Sequence, residues 1–298
     1  MGVMAQSRWQ LPSDLPIPSF LPFPGRSHRT RNARAVVTGA GSGIGRAFAV
    51  ELGRRGGQVV CSDINPTSAK ETVDLVAAAG GRGLAVECDV ASLEQVTSLA
   101  DAADAWFDEP LTLAINNAGI GAGGHPVGET SYADWRRVLD INLWGVIHGC
   151  HVFTPRLRAT GRGGLINVAS SASFAAGPNM APYNVSKAGV LSLSETMSAE
   201  LSGTGVVVTV LCPTFVKTAI VESGEIDPAT ARLASTVMRL TGISADRAAR
   251  ATLDAHDRGR LHVVPQVEAQ LIWRTKRLAP AQYTRAIGLA GRAGRRFL

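Results

Sequence analysis

From Ala33 onward the sequence alternates short, unbroken apolar runs with longer stretches whose apolar residues recur at helical spacing, and few architectures accommodate that order. Strands are expected at Ala35–Thr38, Gln58–Ser62, Gly83–Glu87, Leu113–Ile115, Leu165–Val168, Val206–Leu211 and Leu261–Val264. Helices are expected at Ile44–Arg55, Thr67–Ala79, Leu93–Phe107, Tyr132 to about Arg158, Tyr183–Leu201 and Ser244–Arg258. Runs that are apolar throughout belong in a sheet covered on both faces. Strict alternation with helices demands right-handed crossovers. The expected fold is therefore α/β, a doubly wound parallel sheet of seven strands with helices on both faces, forming one domain over residues 33–265. Ligands of such sheets bind at the carboxyl ends of the strands, near the point where strand order reverses.

The two ends stand apart from this rhythm. In residues 1–32, Pro12, Pro16, Pro18, Pro22 and Pro24 forbid a helix, and the segment reads as a flexible Pro-rich extension. It is a poor secretory signal, because no unbroken apolar stretch follows a basic start. Residues 266–298 read as a basic, partly helical extension: Gln266–Leu278 is helix-compatible, and Gly291–Leu298 reads as flexible.

Charge separates the same segments. The net charge of +6 comes from residues 1–34, with five Arg and one acid, and from residues 269–298, with seven basic residues and no acid. Residues 35–268 hold 18 basic and 23 acidic residues, a net −5. A mildly acidic body excludes a nucleic-acid-binding protein, which needs a basic folded face. The C-terminal segment is expected to form a helix packed on the body or on a neighbouring subunit; its basic, amphipathic character also allows it to lie on an anionic membrane, the competing reading. No stretch of 18 apolar residues occurs, so no transmembrane helix is expected, and the location read is cytoplasmic, with or without peripheral membrane contact. Cys61, Cys88, Cys150 and Cys212 are widely spaced in apolar runs and read as free buried thiols. His148 and His151 share a helical face without a third ligand, so no metal is expected.

The first strand runs into Thr38-Gly39-Ala40-Gly41-Ser42-Gly43-Ile44-Gly45 and then a helix. Glycines allow backbone amides to approach a pyrophosphate, and the helix N-terminus supplies partial positive charge and free N–H donors. Its position between strand and helix, early in the fold, is the context that gives a Gly-rich turn meaning. Gly39, Ser42, Gly43, Ile44 and Gly45 are the expected contacts. Strand two ends at Asp63, an acid placed to accept from ribose hydroxyls and to repel a 2′-phosphate, which favours NAD over NADP. Arg46 and Arg54 keep NADP open. Strand three ends at Asp89 and Val90, near the adenine edge. Strand four ends in Asn116-Asn117-Ala118-Gly119, with Asn116, Ala118 and Gly119 at the ligand edge.

Tyr183 and Lys187, four residues apart, lie on one helical face. A phenol titrates near ~10, and a neighbouring ammonium is expected to lower that value enough for acid–base work.

These pieces together resemble the short-chain dehydrogenase/reductase family in its single-domain, Rossmann-type form, over roughly residues 34–264. The family's TGxxxGxG matches Thr38, Gly39, Gly43 and Gly45; its NNAG matches Asn116–Gly119; its YxxxK matches Tyr183 and Lys187. Its serine matches Ser170, 13 residues before the tyrosine, and its helix asparagine matches Asn142. The resemblance implies that Tyr183 exchanges a proton with the substrate oxygen and that Lys187 lowers its pKa and holds the nicotinamide ribose. It further implies that Ser170 orients the substrate and that Asn142 holds a water linking Lys187 to solvent. It places Pro213, Val216 and Thr218 at the nicotinamide. It also implies a homodimer or homotetramer paired through the two long helices. One departure is Thr214, where the family usually has glycine; its side chain is expected to narrow the pocket or alter the turn.

The pocket walls, Gly121–Val127, Ser171–Met180 and Thr214–Thr241, offer Phe174, Met180, Phe215, Ile220, Val221, Val237 and Met238 and no cluster of Arg or Lys. The expected function is NAD(P)-dependent hydride transfer on a small hydrophobic secondary alcohol or ketone. The alternative, a catalytically silent NAD(P)-binding sensor, is opposed by the complete Asn142, Ser170, Tyr183, Lys187 set. A sugar-nucleotide epimerase would need a larger C-terminal domain than the remaining chain provides.

Overall fold

The computed structural model describes residues 28–218, 225–226 and 242–294. The Pro-rich segment before residue 28, and Ile220, Val221, Val237 and Met238 of the expected pocket wall, lie outside the described residues.

Seven parallel strands form the main sheet: β1 (Arg34–Thr38), β2 (Gln58–Asp63), β3 (Arg82–Glu87), β4 (Leu113–Asn116), β5 (Gly163–Val168), β6 (Val206–Leu211) and β7 (His262–Val263). Their spatial order is β7-β6-β5-β4-β1-β2-β3. The order reverses between β1 and β4, where Val36 lies opposite both Val60 and Ala114. Side chains alternate between faces. Val36 and Ala114 join one core with α3 (Leu93–Trp106), α5 (Gly145–Ala159) and α7 (Ala181–Glu200). Ala35, Val37, Leu113 and Ile115 join the other with α1 (Gly43–Arg54), α2 (Pro66–Ala78) and α8 (Ala245–Asp257). This is the expected doubly wound sheet.

Local chemistry sets the helix starts. Asn65 accepts from the amides of Thr67 and Ser68, with Pro66 as first helical residue. Ser92, Ser131 and Ser244 cap their helices in the same way through Gln95, Asp134 and Arg247.

Three features depart from the sequence reading. The helix expected from Tyr132 to Arg158 is broken by a π turn: α4 (Tyr132–Leu139) passes through Asp140–Trp144 before α5, and the Gly145 amide donates to the Asp140 carbonyl. A short helix, α6 (Ala172–Ala175), follows β5. After α9 (Val267–Leu278), a further helix, α10 (Pro280–Gly294), runs through Gly291, where a flexible end was expected. Tyr283 of α10 donates to the Ala175 carbonyl at 3.0 Å, and Trp273 of α9 stacks on Phe174 with centroids 5.9 Å apart.

Candidate active site

At the carboxyl edge of the sheet, around the switch between β1 and β4, lies a cleft of about 680 Å³. Gly39, Ser42, Gly43, Ile44, Asp63, Asp89, Val90, Ala118 and Gly119 line one part of it; Ser170, Tyr183, Lys187, Pro213, Val216 and Thr218 line the other.

The first turn of α1 is built for an anion. Ser42 makes no side-chain cap, unlike Asn65, Ser92, Ser131 and Ser244, and the turn holds no acid. The leading N–H groups therefore face the cleft without a side-chain acceptor. Gly39 and Gly43 have φ of 64° and 52°, a region that disfavours side chains. Gly45 does not line the cleft: a Cβ there would stand 2.0 Å from the Gly39 carbonyl oxygen, so it lets the helix pack under the turn. Asp63 shapes the same turn, its carboxylate accepting from Gly41 N–H at 2.8 Å and Asn65 N–H at 3.0 Å. Arg46 is held by Thr72, Glu71 and the Gly41 carbonyl, and Arg54 pairs with Glu51.

Asn116 has a different place from the one expected. Its side chain turns into the core, where it donates to Asn167 Oδ1 at 2.9 Å, and Asn167 donates to Ser194 Oγ at 3.0 Å. The neighbouring Asn117, passed over in the sequence reading, faces the cleft and ties β4 to β1. Its amide donates to the Thr38 and Gly39 carbonyls at 2.9 and 3.1 Å, while Thr38 Oγ1 accepts from the Asn117 and Ala118 N–H groups. Alternation along Leu113–Asn116 was the signal that separates the two: Ala114 and Asn116 point to the same face.

Ser170, Tyr183 and Lys187 come together. Ser170 acts on the Tyr183 phenol through its hydroxyl, which also donates to the Pro213 carbonyl at 3.4 Å, and Lys187 Nζ lies 5.8 Å from the phenol ring centroid. Lys187 donates to the Val168 carbonyl at 3.0 Å. The expected lowering of the phenol pKa by the ammonium is not what the surroundings of Tyr183 give. Burial pushes the Tyr183 phenol up, and the hydrogen bond to Ser170 opposes it. Burial also pulls Lys187 down to about 8. Asn142 lies in the π turn, buried, and is not part of the lining. Its amide grips Ile120 at both ends, accepting from Ile120 N–H at 2.8 Å and donating to Ile120 C=O at 2.9 Å. A Cβ on Gly119 would stand 3.0 Å from Asn142 Oδ1 and 3.3 Å from Lys187 Nζ, so the asparagine and the lysine meet across that glycine.

Thr214 does not simply intrude on the cleft. Its hydroxyl donates to Glu268 at 3.0 Å and its N–H to Gln266 Oε1 at 3.1 Å, while Gln266 Nε2 donates to the Phe215 carbonyl at 2.9 Å. Gln266 and Glu268, not singled out in the sequence, thus fasten the segment leading to Val216 and Thr218.

The family model described as short chain dehydrogenase matches residues 33–228. The "Probable oxidoreductase EphD" of Mycobacterium tuberculosis (strain ATCC 25618 / H37Rv) is 40% identical over 186 residues, 62% of this chain. The chain spans only 31% of that relative's length. A cyclohexanol dehydrogenase of Acinetobacter sp. (strain SE19) is 35% identical over 199 residues, 67% of this chain and 79% of the relative. Among solved structures, a short chain dehydrogenase/reductase from Burkholderia phymatum in complex with NAD superposes with a TM-score of 0.79 at 34% identity, covering 84% of this chain and 94% of that one.

Proposed function

Given that the chain belongs to the short chain dehydrogenase family, we propose that it is an NAD-dependent oxidoreductase acting on an apolar secondary alcohol or its ketone. One observation carries this reading: Ser170, Tyr183 and Lys187 converge in the same cleft that receives the uncapped N-terminus of α1. The bare first turn and its glycines fit a dinucleotide pyrophosphate. A bound nicotinamide would supply or accept the hydride.

Each side chain then has a task. Ser170 orients the substrate oxygen, and Tyr183 exchanges a proton with it. Lys187 holds positive charge behind the phenol and donates to the cofactor ribose. Asn142 fixes the Ile120 turn beside Lys187 and holds the water that connects the lysine to solvent. Asp63, at the cleft wall, favours NAD: it meets the ribose hydroxyls and repels a 2′-phosphate. Arg46 and Arg54, the cations that kept NADP open, are spent on Glu71 and Glu51.

The substrate reading rests on the lining. Among the described residues, its reacting end holds Ile120, Ile141, Met180 and Phe215, and Lys187 is its one basic side chain. Nothing there clamps a carboxylate or phosphate. The cyclohexanol dehydrogenase relative makes cyclic secondary alcohols the first to try. Assembly into a homodimer or homotetramer is part of the same proposal; Trp144 and Val185, about half exposed on the two long helical segments, support it.

The test is Tyr183→Phe, assayed on alcohols and ketones of graded size by the absorbance of the reduced cofactor. Turnover is expected to fall about 10²–10⁴-fold while cofactor affinity, measured by calorimetry, stays within about twofold. Undiminished turnover would remove Tyr183 from the reaction. Running the same screen with NADP decides the cofactor.

A further inference from the structure

The outer face of α9 carries an arrangement that the catalytic reading does not use. Val267, Leu271 and Leu278 are 77%, 65% and 86% exposed. At ~100° per residue these three and Arg274 fall within ~60° of arc, a single ridge along the helix. The opposite side holds Ala269, Ile272 and Trp273, packed against the core, with Trp273 on Phe174 of α6 and on His262. Arg277 flanks the ridge, folded over Trp273 at 4.7 Å. Leu289, also 65% exposed, and Arg285 follow on α10. Glu268, the one acid of α9, is engaged by Thr214.

We propose that this ridge docks on the surface of an anionic phospholipid bilayer. Three observations select that occupant. Residues 269–298 carry seven basic side chains and no acid, which complements anionic headgroups. On α9 the ridge covers only ~60° of arc, whereas a stable protein interface engages roughly 20–30 residues a side; a fluid lipid surface requires no matching shape. An arginine set between leucines suits the headgroup level, where the apolar neighbours enter the acyl boundary and the guanidinium stays at the phosphates. No helix among the described residues is long and apolar enough to cross a membrane, so the contact is with the surface. Docking also has a bearing on the cleft. α9 and α10 hold α6 through Trp273 and Tyr283, and Ala172 and Ala175 of α6 line the cleft. The docking helix is therefore joined to the substrate wall through its buried side.

The experiment is co-sedimentation of the full chain with vesicles of phosphatidylglycerol and phosphatidylcholine in equal parts, against vesicles of phosphatidylcholine alone. Binding is expected on the anionic vesicles only, weakening with added salt. The double variant Leu271→Gln, Leu278→Gln is expected to lower the partition coefficient about tenfold or more. Arg274→Gln with Arg285→Gln is expected to lower it as well. Because these side chains are exposed, the melting temperature should not move. Failure to sediment with anionic vesicles overturns the proposal. So does undiminished binding of the leucine variant, since charge at the chain ends would then suffice. A change of molecular mass in that variant at sedimentation equilibrium overturns it in favour of a second copy. The readout is binding, so it stands or falls separately from the turnover assay above.

Discussion

His256 shows how much one side chain can set. It is fully buried, its Nδ1 sits 2.9 Å from Thr209 Oγ1, and Thr209 donates onward to the Arg260 carbonyl. Nδ1 therefore carries the proton and Nε2 is the bare nitrogen, pressed against β5 where a Cβ on Gly164 would stand 2.0 Å away. A second proton at Nε2 would find no acceptor, and burial pulls this imidazole down to about 3. Its effect on stability follows in sign. Between about 3 and an ordinary value near 6.5, the unfolded chain takes up a proton that the folded chain refuses. The stabilisation is complete above that window and is lost as pH falls through it, by roughly 3–5 kcal/mol at the acid end. Urea unfolding of the wild type and of His256→Gln between neutral pH and pH ~4 checks this. The variant should lose much of the acid slope; an identical slope would place the acid sensitivity elsewhere. Lys187 is shifted in the same sense by the same cause, but its value near 8 leaves it mostly charged at neutral pH.

At the level of elements, the instructive pieces are those that local periodicity does not encode. β1, α1 and α7 were readable because their spacing and end residues are local. Tyr183 and Lys187 needed only a helix, and Ser170 only the end of a strand. The π turn needed partners far away: Asn142 closes on Ile120, and Gly145 is required because a Cβ there would stand 2.7 Å from Val90. No window of sequence around Asp140 announces either contact. The clamp on the Thr214 turn is similar, since Gln266 lies 52 residues further along the chain. Gln266→Leu keeps the volume but strands the Thr214 N–H and the Phe215 C=O, at a cost of roughly 1–3 kcal/mol. The KM for the cofactor is expected to rise about tenfold while kcat changes less, in steady-state assays. An unchanged KM would mean that the clamp does not position Val216 and Thr218.

For the molecule as a whole, the parallel sheet and its ligand edge followed from the alternation of apolar runs, because burial on both faces leaves few other solutions. Less could be read where packing between layers decides, as with α6 and α10. The four thiols span that division. Cys88, Cys150 and Cys212 lie in the layer with α3, α5 and α7, and Cys61 lies in the layer with α1, α2 and α8. Burial pushes them up to about 11 for Cys88 and about 12 for the other three. Each is inert to alkylation while its layer stays closed. A maleimide added under native conditions thus times the opening of each side of the sheet, and mass spectrometry counts the labels. If the chain opens as one unit, four adducts arrive together; if one layer lifts first, they arrive as three and one.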